Sequence, residues 1–297
     1  MTNDRRRLPA SADAWMAAAP AAFVLLWSTG FIGARLGLPY AEPLTFLLLR
    51  FACVCSVLLV AAIVMRSPWP ASWRETRRIA YVGLMIHGLY LGGVFSAIKL
   101  GVPAAIAALI VGLQPVITAL AAGPYLGERL RWHGWLGLGL GLLGVVLVLA
   151  ENLSFDGAGL YGVGFALAAL LGITAGTLYQ KRHGGGMNLI TGSFVQFAAV
   201  GLAYLPVALA FESMRIDWTG EFVFALVWLT LVLSIGAISL FHLMIRRGAA
   251  AKVASLFYLT PAVTAVLAYL IFGDTLAPLA IVGLVVGAIG VYLVTRS

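Results

Sequence analysis

Charged side chains are scarce in this sequence, and their scarcity excludes most classes of protein. Of the 297 residues, 10% are charged and 62% are hydrophobic, and the mean hydropathy is +1.02. A soluble domain uses about 25% charged residues to keep its surface in water. A soluble enzyme, a disordered chain and a disulfide-rich domain are therefore excluded, and a helical protein with many membrane spans is predicted.

Cysteine is nearly absent as well. Cys53 and Cys55 lie in one apolar run, two residues apart. At that spacing the side chains point to nearly opposite sides of a helix, so they can neither pair nor form a metal or redox motif. We expect both to be small packing residues.

Motifs for catalysis or nucleotide binding are also missing. The sequence has no glycine-rich loop with a lysine, no GxSxG and no HExxH. Its carboxylates fall in loops or at span ends, which excludes a paired-aspartate intramembrane protease. No enzyme activity and no cofactor are predicted. The net charge of +8 comes from short basic clusters between apolar runs, so nucleic acid is not an expected partner.

Long apolar runs are what the sequence has instead. A membrane span needs about 20 mostly apolar residues, and the segments that qualify are separated by residues typical of turns. The run Arg5-Arg6-Arg7 before the first segment resembles a secretory signal, but that segment is long enough to span and we predict an uncleaved helix. The ten predicted spans are residues 15–35, 43–65, 78–98, 103–123, 132–150, 159–180, 189–211, 222–245, 250–272 and 277–295.

The distribution of lysine and arginine predicts the orientation in the membrane. With a cytoplasmic N-terminus, fifteen of these residues fall on the cytoplasmic side and three on the other, while Arg50 lies inside a span. Positive residues are retained on the cytoplasmic side of membrane proteins. We predict a multi-pass protein of the inner (plasma) membrane with both termini in the cytoplasm, in contact with the lipid bilayer.

The two halves of the chain repeat each other at a shift of 146 residues. Pro115 and Thr118 then match Pro261 and Thr264, and three glycines of the fifth span match three of the tenth. Each half, residues 1–150 and 151–297, contains five predicted spans. Because five is odd, the second half must enter the membrane from the opposite side. An inverted repeat of this kind is typical of secondary transporters with a site between the halves.

Several short motifs carry a resemblance to a known family. The motifs are Ile98-Lys99-Leu100-Gly101, Gln114-Pro115 and Leu126-Gly127-Glu128-Arg129-Leu130, repeated as Arg246 to Gly248, Thr260-Pro261 and Phe272-Gly273-Asp274-Thr275-Leu276. With these motifs the chain resembles the EamA family of the drug/metabolite transporter superfamily, and within it the YddG-type amino-acid exporters. The resemblance covers nearly the whole chain, and Arg50 in the second span also suits the family.

The resemblance implies a fold and a range of functions. Members have ten helices, a central cavity lined by spans 1–4 and 6–9, and spans 5 and 10 as outer helices. We predict export of neutral or aromatic amino acids, or of similar small amphipathic metabolites, by alternating access. Efflux of drugs or other cations is the alternative. The small multidrug members depend on a glutamate inside the first span, which this chain lacks.

Aromatic and polar side chains inside the spans are the candidates for substrate binding. Trp27 and Phe31 share a helix face around small residues, and His87, Tyr90 and Val94 share another at α-helical spacing. Packing is the alternative for each of them, since core aromatic residues usually only pack. The predicted substrate-binding residues are Trp27, Ser28, Phe31, His87, Tyr90, Gln114, Tyr179 and Tyr258.

Other residues inside the spans are predicted to shape the helices. Pro115 and Pro261 interrupt their spans at equivalent positions and are expected to kink them and to hinge a gate. Arg50 could bind a carboxylate, but its repeat equivalent is the neutral Gln196, which favours a structural role for both. The glycines predicted to let helices approach closely, within one chain or in a homodimer, are Gly137, Gly141, Gly283 and Gly287.

The absence of a carboxylate inside the spans also predicts how transport is driven. Proton-coupled transporters commonly titrate such a group within the membrane. We therefore predict movement of substrate down its own gradient without obligatory proton exchange, His87 being the alternative proton carrier.

Overall fold

The computed structural model describes residues 10–127, 130–149, 157–248, 250–273 and 278–296, and these residues are almost entirely helical. Two of the ten helical stretches are interrupted, α4 at Leu113 and α9 by a 3-10 turn at Leu256–Leu259. In order they are α1 (Ala10–Gly37), α2 (Pro43–Val64), α3 (Trp73–Lys99), α4 (Ala104–Gly112 and Gln114–Leu126), α5 (Trp132–Leu149), α6 (Gly157–His183), α7 (Leu189–Phe211), α8 (Gly220–Arg247), α9 (Ala250–Ser255, Leu256–Leu259 and Thr260–Phe272) and α10 (Pro278–Arg296).

Eight of these helices, α1–α4 and α6–α9, are long and apolar enough to cross a membrane. The predicted boundaries of the spans agree with the helices to within about five residues. The count of ten spans remains a prediction, because α5 and α10 do not meet the same criterion over the described residues. The predicted features at Arg5 to Arg7, Glu128 and Asp274 lie outside the described residues.

Local sequence explains where several helices begin and end. The side chain of Asn188 accepts the backbone N–H groups of Ile190 and Thr191 and so caps the start of α7. Gly127 and Gly273 follow α4 and α9 with φ of 72° and 73°. Glycine adopts this left-handed conformation without a steric penalty, which makes it the common residue just beyond a helix. The two glycines are 146 residues apart, so both halves end their fourth helix in the same way.

The helices of the two halves pack against each other in matching pairs. α2 packs along α7, α5 packs along α10, and α4 packs along α9. The contact of α3 with α6 is matched by the contact of α8 with α1. Thr45 at the start of α2 contacts Glu212 just after α7, and Thr191 at the start of α7 contacts Pro68 beyond the end of α2. α2 and α7 are therefore antiparallel neighbours.

The contact between α5 and α10 is built on glycine. A Cβ added to Gly144 would lie 2.6 Å from the carbonyl oxygen of Gly283, and one added to Gly137 would lie 2.6 Å from that of Gly290. Only glycine permits backbones to approach this closely. The predicted glycine face is thus covered within a single chain. Gly141 instead faces the ring of Tyr258 in α9.

Both halves also share a π-helical segment in their third helix. It covers Leu84–Tyr90 in α3 and Leu229–Ala237 in α8, and the shift of 146 residues places the first within the second. π-helical turns occur frequently at functional sites. In this protein both π-helical segments lie beside the space between the two halves of the chain.

The two ends of the helix bundle differ in charge. Glu42, Glu212 and Glu221 lie at one end, which we call the acidic end. The other end, the basic end, has a larger set of cationic side chains, namely Arg66, Arg74, Arg77, Arg78, Lys181, Arg182, Arg246 and Arg247.

Candidate functional site

A cavity lies between the two halves, on the acidic side of the bundle centre. Of the predicted site residues, Trp27, Phe31 and Tyr90 line it together with Arg50. The side chains leave room for about one water molecule, so the cavity is too narrow for a larger solute in this conformation. The remaining lining residues are Gly30, Leu91, Val94 and Phe95 from the first half and Leu233 and Ile238 from the second.

Trp27 is at the centre of an aromatic cluster beside this cavity. Its indole N–H donates a hydrogen bond of 3.0 Å to the hydroxyl of Tyr90, and the two rings stack with centroids 5.9 Å apart. Phe241 of α8 and Phe257 of α9 contact the same indole at 5.5 and 5.2 Å. The cluster therefore joins helices from both halves of the chain around one wall of the cavity.

Arg50 is the one charged side chain among the described residues that line this cavity. It is 1% exposed, and its Nε donates to the hydroxyl of Ser234 in α8 at 3.0 Å. Its Nη1 is buried without a hydrogen-bond partner. Arg50 lies seven residues inside α2, about 10 Å from the helix start at the usual helical rise.

The predicted prolines lie at interruptions of α4 and α9. α4 breaks at Leu113, just before Gln114-Pro115, and α9 has its 3-10 turn directly before Thr260-Pro261. The hydroxyl of Ser28 donates to the carbonyl of Thr260 at 3.3 Å, which connects α1 to the second interruption. The amide of Gln114 donates to the hydroxyl of Thr177 in α6 at 3.1 Å.

His87 faces away from the cavity, towards α7. Its Nε2 lies 3.1 Å from the side-chain oxygen of Gln196, and its ring stacks on Phe197 at 4.0 Å. The prediction that His87 shares a face with Tyr90 assumed α-helical spacing. Because His87 and Tyr90 lie in the π-helical segment, which has more residues per turn, the two side chains diverge.

Tyr179 and Tyr258 lie outside the central cavity. Tyr258 donates to the carbonyl of Leu138 at 3.0 Å and packs on Gly141, between α9 and α5. Tyr179 stacks on Tyr81 at 4.7 Å in an open cleft at the basic end. The structure therefore separates these two tyrosines from Trp27, Phe31 and Tyr90.

Hydrogen bonds join the two halves at the acidic end, and we call the segments 38–45 and 212–221, which include the first residues of α2 and α8, the clasp. The Glu212 carboxylate accepts the N–H groups of Leu44 and Thr45 at 2.8 and 2.7 Å, and so caps α2. Glu42 accepts the N–H and the hydroxyl of Ser213, both at 2.6 Å. These bonds hold the pKa of the Glu42 carboxyl below its ordinary value.

Two further contacts complete the clasp. The hydroxyl of Tyr40 donates to the carboxylate of Glu221, which raises the pKa of that hydroxyl. The N–H of Asp217 donates to the carbonyl of Tyr40 at 2.9 Å. The clasp closes the acidic end of the space between the halves.

Basic side chains hold helix ends of the second half together at the opposite end. Lys181 donates to the carbonyls of Ile245 and Gly248 at 3.0 and 2.6 Å, and Arg246 donates to the carbonyl of Met187. Cations at helix C-termini satisfy the last carbonyls and the helix dipole. These contacts join α6 to α8, and α8 to the segment before α7, all within the second half.

The fold and the site define a class of protein. Eight long apolar helices, packed as two matching halves around a closed internal cavity, are those of a membrane transport protein. The model of the EamA-like transporter family matches residues 14–150 and again residues 160–296. The chain belongs to this family.

Comparisons with known proteins agree with the assignment of the chain to this family. The chain is 26% identical to an uncharacterized inner membrane transporter, YedA, of Escherichia coli (strain K12), over 92% of this chain and 88% of the relative. It is 25% identical to a probable amino-acid metabolite efflux pump of the same organism, over 91% of both chains. A crystal structure 22% identical in sequence has a TM-score of 0.74 over 94% of this chain and 95% of its own, which shows a shared fold.

Sequence reasoning missed several residues of the site. Ser234 and Leu233 have no signal in the sequence, since they lie in an apolar run like many others. Phe95 contacts Phe46 and lines the cavity, but its spacing from Tyr90 gave no reason to select it. Glu212 follows α7 directly, and its capping of α2 depends on the antiparallel packing of α2 and α7.

Proposed function

We propose that the protein is a secondary transporter that exports neutral or aromatic amino acids, or similar small amphipathic metabolites, by alternating access. The observation that carries the proposal is the aromatic cavity between the halves, with Trp27, Phe31 and Tyr90 on one side and Leu233 and Ile238 on the other. Apolar walls with a few polar groups suit a small amphipathic solute. The name of the E. coli relative as a probable amino-acid metabolite efflux pump supports the same class of substrate.

The architecture proposed for this activity is an inverted repeat of five spans, with halves 1–150 and 151–297. The antiparallel packing of α2 against α7, which are second in their halves, supports the inversion. The matching π-helical segments and the glycines Gly127 and Gly273 support the register of the repeat. In such transporters the halves rock about a fixed site between them.

The closed cavity fits the intermediate state of this cycle. The clasp joins the halves at the acidic end, and Arg182 of α6 donates to the carbonyl of Tyr125 of α4 at 3.3 Å at the basic end. Opening one end at a time would expose Trp27 and Tyr90 alternately to the two sides of the membrane. The interruptions before Pro115 and Pro261 are the positions where α4 and α9 would bend.

The proposed placement is the inner membrane, with the basic end and both termini in the cytoplasm. The concentration of arginine and lysine at that end supports this orientation. We further propose that the glycine faces of α5 and α10 serve packing within one chain, because each covers the other.

The alternative is efflux of lipophilic cations. A cation in the cavity would face Arg50 and, among its described lining residues, no carboxylate. Repulsion and the cost of an unpaired buried charge both disfavour this substrate.

Transport by the purified protein in liposomes tests the proposal. Radiolabelled phenylalanine, leucine and methionine are loaded inside, and their exchange with external substrate is followed over time. We expect saturable counterflow of at least one neutral amino acid. Movement of cationic dyes, with no movement of any amino acid in a broad panel, would replace the proposal by the alternative.

A further inference from the structure

Arg50 has a hydrogen-bonding group left over at the central cavity. Its Nε donates a hydrogen bond to the hydroxyl of Ser234, but its Nη1 has no acceptor. The side chain is 1% exposed. The acidic side chains described, namely Glu42, Glu75, Glu212, Asp217 and Glu221, lie at the two ends of the bundle. Within the part of the chain that the structure describes, no ion pair of Arg50 is found.

A buried guanidinium without an anion is energetically costly. Such groups in proteins are paired or neutralised because an isolated buried charge loses its hydration without compensation. A carboxylate is the group that best fits the planar fork of N–H donors in arginine. The free donor at the cavity is therefore available for an anion from outside the chain.

The repeat equivalent of Arg50 shows that a structural role does not require this charge. Gln196 lies at the same position of α7, fully buried. Its side-chain oxygen accepts from His87 at 3.1 Å and its amide nitrogen lies 3.7 Å from the sulfur of Met187. A neutral amide thus satisfies its polar atoms within the protein, whereas Arg50 keeps an unused donor.

The rest of the cavity wall is apolar or aromatic. Phe31, Leu91, Val94, Phe95, Leu233 and Ile238 offer no side-chain acceptor for an ammonium group. The hydroxyl of Tyr90 already accepts from Trp27. The cavity thus presents one cationic group in an apolar wall, and its described lining residues include no carboxylate to pair with an amine.

We propose that Arg50 binds the carboxylate of the transported molecule, so that the substrate class is small carboxylates with an apolar or aromatic body, with or without an α-amino group. This inference rests on the proposed transport function and specifies its substrate. Binding would convert the unpaired charge into a charge-assisted pair and would separate Trp27 from Tyr90 to make room. Ser234 orients the guanidinium through its bond to Nε and is a positioning residue.

Three related probes test the inference on the full-length protein in detergent. L-phenylalanine and 3-phenylpropionate both carry a carboxylate, and the second lacks the amine, whereas L-phenylalaninamide has the amine and no carboxylate. Ligand-induced thermal stabilisation and liposome counterflow are measured for each. We expect both carboxylates to bind and the amide to bind at least about tenfold more weakly, as for the loss of a charged hydrogen bond.

Variants of Arg50 separate substrate binding from a structural role. Arg50→Gln introduces the amide found in the other half, and we expect about 10- to 100-fold weaker binding of both carboxylates. Arg50→Lys keeps the positive charge but lacks the planar fork of N–H donors. We expect it to lose less carboxylate binding than Arg50→Gln. Arg74→Gln, which removes an exposed charge at the basic end, is the matched control and should leave binding unchanged.

The stability of the empty protein provides an independent readout. Removal of an unpaired buried charge should leave the thermal midpoint of Arg50→Gln without ligand equal to that of the wild type or higher. A structural arginine would give a lower midpoint. A lower midpoint together with unchanged carboxylate binding would overturn the inference.

Other outcomes distinguish the inference from the proposed function. If phenylalanine is transported equally by the wild type and Arg50→Gln, the inference is wrong while the transport function stands. If the folded wild type binds none of the carboxylates but transports lipophilic cations, both are wrong. Equal binding of the amide and phenylalanine would also overturn the inference.

Discussion

At the scale of single residues, the bond between Trp27 and Tyr90 connects the aromatic cluster to the cavity. The indole N–H is buried, and the hydroxyl of Tyr90 is its acceptor at 3.0 Å. The two side chains come from α1 and α3, so the bond also holds these helices together. Their ring stacking would persist if the hydroxyl alone were removed.

Tyr90→Phe should destabilise the protein by about 1–3 kcal/mol, because it leaves the indole N–H of Trp27 without an acceptor in a buried site. Unfolding in mixed detergent micelles measures the change. Tyr269→Phe, on an exposed part of α9, is the control and should have no effect. An unchanged stability of Tyr90→Phe would show that the bond contributes nothing measurable.

At the scale of helices, the pair α5 and α10 shows how closely two backbones can approach through glycine. Gly144 faces the backbone of Gly283 and Gly287, whereas a Cβ added to Gly139 on the same helix would have no neighbouring atom within 4 Å. The same substitution at these two positions therefore isolates the effect of contact between the helices.

Gly144→Ala should destabilise the protein by about 1–3 kcal/mol, because its Cβ would lie 2.6 Å from backbone atoms that cannot move separately. Gly139→Ala should be neutral or slightly stabilising, since alanine favours a helix. Thermal unfolding in detergent compares the two. Equal effects would show that the glycine contact is not needed for the pairing of α5 with α10.

The clasp is the second feature at this scale, and it is sensitive to acid. Glu42 keeps a lowered pKa while it accepts two hydrogen bonds from Ser213. A carboxyl with a lowered pKa stabilises the closed clasp above its ordinary pKa of about 4.5, and this stabilisation is lost as the pH falls through the lowered value. Lys99 contributes to the lowering, and Glu212 and Glu221 are the other carboxylates of the clasp.

Lowering the pH from 7 to below the ordinary carboxyl pKa of about 4.5 should weaken the clasp, and Glu42→Gln should favour the open form already at pH 7. The distance between spin labels at Pro39 and Trp218 is the measurement, with Cys53 and Cys55 replaced by alanine. Glu75→Gln, at the basic end, should leave this distance unchanged. A distance in Glu42→Gln that matches the wild type at both pH values would contradict the role of this carboxylate.

At the scale of the whole molecule, the contacts of His87 bear on how transport is driven. The ring is fully buried between Gln196 and Phe197 and does not line the cavity. A proton carrier must reach both the substrate path and water during the cycle. This position supports the prediction of gradient-driven transport without obligatory proton exchange.

Counterflow in liposomes should therefore be the same with and without an imposed pH gradient, and His87→Ala should not change any response to pH. The assay measures the steady-state accumulation of labelled substrate. Accumulation that follows the pH gradient and disappears in His87→Ala would make His87 the coupling residue. Gln196→Ala removes the partner of His87 and controls for a loss of packing.

The orientation of the whole molecule gives a further test. If the basic end is cytoplasmic, a green fluorescent protein fused to the C-terminus should fold and fluoresce, and alkaline phosphatase fused there should be inactive. Reversing the difference in charge between the two ends of the bundle should lower the fluorescence of the first fusion and raise the phosphatase activity of the second. An active phosphatase fusion would place the C-terminus outside the cytoplasm.

Features that depend on local composition could be predicted without a structure. Apolar runs and turn residues located the helices to within about five residues, and the repeat at 146 residues indicated two equivalent halves. Arg50 could be selected because a charged side chain inside a span is uncommon and needs a reason. Trp27 and Phe31 could be selected because they share a helix face around small residues. The motifs were sufficient to predict the family.

Which of these side chains meet depends on how the helices pack in three dimensions. The π-helical segment turned His87 away from Tyr90, and helix packing placed Tyr258 against Gly141 rather than in the cavity. Ser234 reaches Arg50 across 184 positions of sequence. Spacing rules assume one helical period and describe one helix at a time, whereas such contacts depend on how helices are rotated against each other by the packing of the whole bundle.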